Sequence, residues 1–117
     1  MAEVTYLEAI RQGMQEEMRR DENVFILGED IGAYGGAFKV TLGFQEEFGP
    51  WRVIDAPLSE TAIVGGCTGA AIMGMRPVAE LMTLNFGIVA MDQIINHVSK
   101  ARYMFGGQVT VPMVIRA

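Results

Sequence analysis

Cysteine and histidine are almost missing from this chain: it has one of each, Cys67 and His97, among 117 residues. A single thiol excludes an internal disulfide and fits a reducing compartment. One thiol and one imidazole also leave a Cys/His zinc centre without its ligands. Basic residues are sparse and scattered, nine Lys and Arg against fourteen Asp and Glu. With a net charge of −5 and no Lys/Arg run, there is no basic face for a phosphate backbone. Long apolar runs are absent as well. The least polar stretch, Thr61 to Met75, is bounded by Glu60 and Arg76, rich in Gly and Thr, and too short for a bilayer. The start of the chain carries no basic segment followed by an apolar one, so neither a secretory signal nor a transit peptide is expected. Neither G-x-G-x-x-G nor G-K-[ST] occurs. These absences predict a soluble cytoplasmic protein that engages neither nucleic acid nor membrane.

What remains is ordinary globular material. Half of the residues are hydrophobic and a fifth charged, enough for one domain with a modest core. Leu7, Ile10, Met14 and Met18 recur at helical spacing, and Thr5 with Glu8 reads as a capping box, so a helix is predicted from Thr5 or Tyr6 to about Arg20. Val24 to Leu27 is a short apolar run suited to a buried parallel strand. It leads into Gly28-Glu29-Asp30 and a glycine-rich loop through Gly36. A short helix near Leu42 to Phe48 is stopped by Gly49-Pro50. A strand follows at Arg52 to Asp55. A helix of small residues then runs from Glu60 to about Met75. A third strand covers Pro77 to Leu81. The next helix places Ile88, Met91, Ile95 and Val98 on one face, with Asp92, Asn96 and Lys100 opposite and His97 facing solvent or at a contact. After Gly106-Gly107, a fourth strand is expected from Val111 to Ile115.

Strands alternating with helices predict an α/β domain with a parallel sheet, in which ligands bind beyond the carboxyl ends of strands. Two polar clusters fall there: Gly28-Glu29-Asp30 and Leu58-Ser59-Glu60. Glu60 reads in two ways from the residues alone. It is either a carboxylate opposing the helix dipole next to a serine cap, or an acid–base group. Gly65 and Gly69 lower helix propensity by roughly 1 kcal/mol each, and the expected compensation is close packing, in a tight helix–helix or subunit contact, with a glycine-tolerant internal helix as the other reading. Cys67 and the methionines read as core filler. The sequence stops as a strand finishes, at Arg116-Ala117, which leads us to expect a fragment of a longer protein.

A series of ordered blocks carries a more specific signal. Leu27 to Gly32, Tyr34-Gly35-Gly36, Phe38 to Thr41, Ala56 to Glu60, Gly74 to Val78, Asn85-Phe86, Met91 to Asn96 and Arg102 to Gln108 follow one another in register. Together they resemble the opening of the beta subunits of thiamine-diphosphate-dependent 2-oxoacid dehydrogenases. The resemblance implies the parallel-sheet pyrimidine-binding domain of the transketolase-like thiamine enzymes. That domain would be incomplete here, with residues 1–117 as its amino-terminal part. It implies that Glu60 is catalytic, sharing a proton with a ring nitrogen of the cofactor's aminopyrimidine, and that Phe86 stacks on that ring. Glu29 is implied beside the activating glutamate, and Leu58 and Met82 as lining of the pyrimidine pocket. The implied cofactor is thiamine diphosphate, with its magnesium held by a partner alpha subunit. A potassium ion bound by backbone carbonyls, one near Met113, is implied as well, and no metal residue is assigned in this chain. The implied partners are the alpha subunit, a second beta subunit, a lipoyl-bearing acyltransferase core and a 2-oxo acid. Pyruvate is the expected substrate, with branched-chain 2-oxo acids or acetoin as alternatives. A noncatalytic interaction domain of the same fold is the reading from a different class. Two departures stand out: Gly66, where many thiamine enzymes carry a large apolar residue, and Asp55-Ala56-Pro57, where Asp-Thr-Pro is frequent.

Overall fold

The computed structural model describes residues 3–117. Helix α1 spans Tyr6–Arg20, and its capping box is complete. The Glu8 amide donates to Thr5 Oγ1 at 3.2 Å, and the Thr5 amide donates to the Glu8 carboxylate at 2.9 Å. Four strands follow in a single parallel sheet: β1 (Val24–Gly28), β2 (Val53–Asp55), β3 (Arg76–Glu80) and β4 (Val114–Arg116), in the order β2-β1-β3-β4. Ile26 is the register centre, facing Val53 on one side and Val78 on the other, and Val78 faces Val114.

Side chains alternate across each strand and so divide the core in two. On one face Val24, Ile26, Val53 and Val78 pack with Met18 of α1 and Phe44 of the short helix α2 (Phe44–Phe48). On the other face Phe25 and Ala79 pack with Ile63, Val64 and Cys67 of α3 (Glu60–Ile72). The step from β1 to β2 runs opposite to the step from β2 to β3. Right-handed crossovers therefore put α2 and α3 on opposite faces. Cys67 is buried, and burial pushes its thiol up to about 12, which makes it inert packing. Among the described residues, no helix is long and apolar enough to cross a membrane.

Several boundaries differ from the sequence reading. The short helix starts at Phe44, because Gly43 adopts a left-handed conformation (φ 81°) just before it. Arg52 precedes β2, and its guanidinium binds the carbonyls of Met18 at 2.6 Å, Asp21 at 2.9 Å and Val24 at 2.7 Å, closing the end of α1. β4 starts later than expected: across Pro112, which has no N–H, Met113 donates back to Val111 at 2.9 Å in a tight turn.

The segment after β3 departs most. It is not one α-helix but a 3₁₀ turn (Leu84–Ile88), a π-helical stretch (Gln93–Val98) and the one-turn helix α4 (Ala101–Met104). Successive residues in these turns advance by different angles, so a 3.6-residue stripe does not stay on one side. Ile88 (73 % exposed), Met91 and Ile95 therefore face outward, while Ala90, Ile94, Val98 and Ala101 turn inward. His97 is exposed, as expected, and lies 3.6 Å from Asp92.

Candidate active site

The carboxyl end of β1 has a fixed shape. A Cβ on Gly28 would lie 2.6 Å from Glu80 Cβ and 2.7 Å from the Glu80 carbonyl oxygen, so only glycine lets the two central strands pass there. Asp30 then takes a left-handed conformation (φ 53°), one that Asp tolerates better than most residues, and reverses the chain. Between them sits Glu29, only 4 % exposed. Its Oε1 accepts a long hydrogen bond from the Ser59 amide at 3.4 Å, and its Oε2 is buried with no protein partner.

Glu60 opens α3 at that same point and is half-buried. Ser59 does not cap the helix; its hydroxyl donates to the Pro57 carbonyl at 2.8 Å. Its amide is turned to Glu29 instead, so two acidic side chains converge on the start of α3. Burial pushes the Glu29 carboxyl above the usual range. The Ser59 amide opposes that shift, and the neighbouring charges of Glu60 and Asp30 add to it. The first turn of α3 is also tied to the segment carrying Phe86, since the Thr61 hydroxyl donates to the Val89 carbonyl at 2.8 Å. Phe86, 39 % exposed, lies in the 3₁₀ turn immediately before that carbonyl.

The other expected pocket residues are not gathered in the same way. Leu58 projects into solvent, 80 % exposed. Met82 is half-buried and lines a groove between α1 and the β3–β4 side of the sheet, together with Phe38, Val40 and Arg116. Met113 lies just before β4, its sulfur 3.8 Å from the Thr68 hydroxyl. Among the described residues, no three His, Cys, Asp or Glu side chains gather as a metal site. Gly65 approaches Gln93 of the π-helical stretch, which an added Cβ would meet at 3.0 Å, whereas nothing lies within 4 Å of a Cβ on Gly69. Gly65 thus makes a close approach within the chain, and Gly69 lies open.

The pattern of expected helices and strands did not point to the ion pair of buried Glu80 with half-buried Arg116, which face each other in the β3–β4 register. Glu80 Oε2 and Arg116 Nε are buried without partners. The available signal was a glutamate inside a run that reads as buried strand, since such a charge needs a partner.

Residues 2–117 match the family described as transketolase, pyrimidine binding domain. The chain belongs to this family. Curated relatives named pyruvate dehydrogenase E1 component subunit beta include one from Rickettsia bellii, 52 % identical over 114 residues, covering 97 % of this chain and 35 % of that protein. Another, from Rhizobium meliloti, is 50 % identical over 116 residues, covering 99 % and 25 %. The human protein, named as the mitochondrial subunit, is 49 % identical over 114 residues, covering 97 % and 32 %. The chain therefore spans about a third of the length of such relatives. The parallel sheet and its flanking helices are the pyrimidine-binding fold that the resemblance implied.

Proposed function

We propose that this chain forms the pyrimidine-binding half of a thiamine diphosphate site in a beta subunit of pyruvate dehydrogenase type. The observation that carries the reading is the convergence of Glu29 and Glu60 on the start of α3, in a chain about half identical to curated pyruvate dehydrogenase beta subunits. The residues fit the cofactor's aminopyrimidine. Glu29 Oε2 is a buried acceptor that lacks a donor, and Glu60 stands half-open beside it, ready to share a proton. Thiamine diphosphate, when bound, supplies the carbon nucleophile and the electron sink for loss of carbon dioxide from a 2-oxo acid.

In this reading Glu60 holds and exchanges the proton at the ring nitrogen. Glu29 flanks it and keeps the local charge balance dependent on burial. Phe86 offers an aromatic face for stacking. Leu58 and Met82 line the pocket only in the assembled enzyme, since Leu58 is exposed in this chain. The alpha subunit holds the diphosphate and its magnesium. A second beta subunit completes the assembly, and the acyl group passes to a lipoyl domain of the acyltransferase core. Backbone carbonyls near Met113 contribute to a potassium site. The expected location is cytoplasmic.

The test is reconstitution. The full-length beta subunit carrying this sequence is assembled with its alpha partner, thiamine diphosphate and magnesium. Release of labelled carbon dioxide from carboxyl-labelled pyruvate is then measured. Turnover is expected from the assembly and none from residues 1–117 alone. An inactive assembly, or clear turnover by the isolated chain, contradicts the proposal.

A further inference from the structure

Arg11 lies far from Glu60 in sequence and on the opposite face of the sheet, yet it reaches the loop that leaves the candidate site. Its guanidinium donates to the carbonyl of Val40 at 2.8 Å and of Leu42 at 2.5 Å, with a longer contact to Lys39 at 3.5 Å. It also sits 5.0 Å from the centroid of the Phe44 ring, which anchors the sheet face beneath. The planar fork of arginine suits several carbonyls at once, as a point-charge ammonium does not.

The carbonyls it gathers belong to the strained end of the loop. Lys39 has a left-handed backbone (φ 59°) without being glycine, and such a residue keeps that geometry only when its surroundings over-determine it. Its ammonium donates to the Tyr34 carbonyl at 2.7 Å, which adds one tether. From this held end, three bonds run back toward Glu29. The buried Thr41 hydroxyl donates to the Ile31 carbonyl at 2.7 Å, the Thr41 amide to Gly35 at 3.1 Å, and the Gly36 amide to Asp30 at 2.8 Å. Asp30 is the residue next to Glu29. A continuous set of contacts thus links α1 to the turn that aims the buried carboxyl.

We infer that Arg11 is a positioning residue: it clamps residues 39–42 and thereby fixes the 30–36 turn that orients Glu29 toward Glu60. The link to activity rests on the proposed function; the clamp itself does not. Two measurements keep them apart. The first is amide hydrogen exchange at Gly36 and Thr41 in the full-length beta subunit assembled with its alpha partner and in its Arg11→Met variant. Exchange in the variant is expected to quicken by about tenfold or more, as local opening becomes easier, and unchanged protection overturns the clamp. The second compares the assembled full-length enzyme with its Arg11→Met, Arg11→Lys and Glu60→Gln variants at saturating cofactor. Arg11→Met is expected to lower kcat about tenfold to a hundredfold, the scale of a small misplacement of a reacting group, with Arg11→Lys recovering part of the loss. Faster exchange with normal kcat in Arg11→Met, while Glu60→Gln is inactive, overturns the link to the site. An active Glu60→Gln enzyme instead defeats the functional reading and leaves the clamp to be judged by exchange alone.

Discussion

Glu29 carries a charge that the fold accommodates poorly. It is buried, one of its oxygens lacks a partner, and Glu60 and Asp30 stand close by. A carboxyl whose pKa is raised by folding binds more protons in the folded chain than in the unfolded one. Its contribution to stability is therefore fully present below the usual glutamate pKa of about 4.3 and is lost as the pH climbs through its raised folded value. Glu80 is displaced the same way, first by burial, with the hydrogen bond and charge of Arg116 pulling back. Glu29→Gln should accordingly stabilise the chain at pH 8 by about 1 kcal/mol, or roughly 4 °C in thermal midpoint. The gain should shrink toward nothing near pH 4. Melting curves of both proteins across that range check this, and equal midpoints at pH 8 would mean that Glu29 is not an uncompensated charge. At this scale the sequence was informative where a rule of position applies: acids just beyond two strand ends meet at one site. It was silent on Arg11 and on Glu80 with Arg116, because partners 29 and 36 residues apart depend on how a helix docks and on strand register.

Among the elements, α3 separates packing from propensity. Its two glycines differ in their surroundings: a Cβ on Gly65 would meet Gln93 of the same chain, while one on Gly69 would meet nothing of this chain within 4 Å. Gly69→Ala should therefore raise the stability of the chain in urea unfolding by about 1 kcal/mol, through helix propensity alone. Gly28→Ala should lower it by roughly 1–3 kcal/mol, since its Cβ would be forced into the Glu80 backbone. A Gly69→Ala variant that loses stability would show that the open face of α3 is wrongly placed. Most elements were legible because α1 has a complete cap and the strands are short apolar runs between turn residues. The segment after β3 was not. Its 3₁₀ and π-helical turns break the 3.6-residue period that predicts one helix, so the expected face splits: Val98 turns inward while Ile88, Met91 and Ile95 are exposed. Strand order was also beyond reach of periodicity, which says which residues face inward but not which strands are neighbours.

For the whole molecule, the α1 face of the sheet is covered only in part. The α1 side of β3 and β4 is an open groove containing Val78 and Val114, and Leu84, Ile88, Val89, Tyr103, Met104 and Phe105 are exposed apolar or aromatic surface. Parallel sheets are normally buried on both faces, and this open groove departs from that rule. The central claim is that Glu60 handles a proton at the cofactor rather than merely opposing the dipole of α3. It is tested in the full-length beta subunit assembled with its alpha partner by the turnover number of Glu60→Gln, read beside its thermal midpoint. The amide is nearly isosteric and still hydrogen-bonds, but it cannot exchange the proton. The account predicts a loss of about a hundredfold to ten-thousandfold in turnover with the midpoint and assembly unchanged. Near-normal turnover with a lowered midpoint would contradict it and leave Glu60 as a helix-terminal carboxylate worth roughly 1 kcal/mol or less.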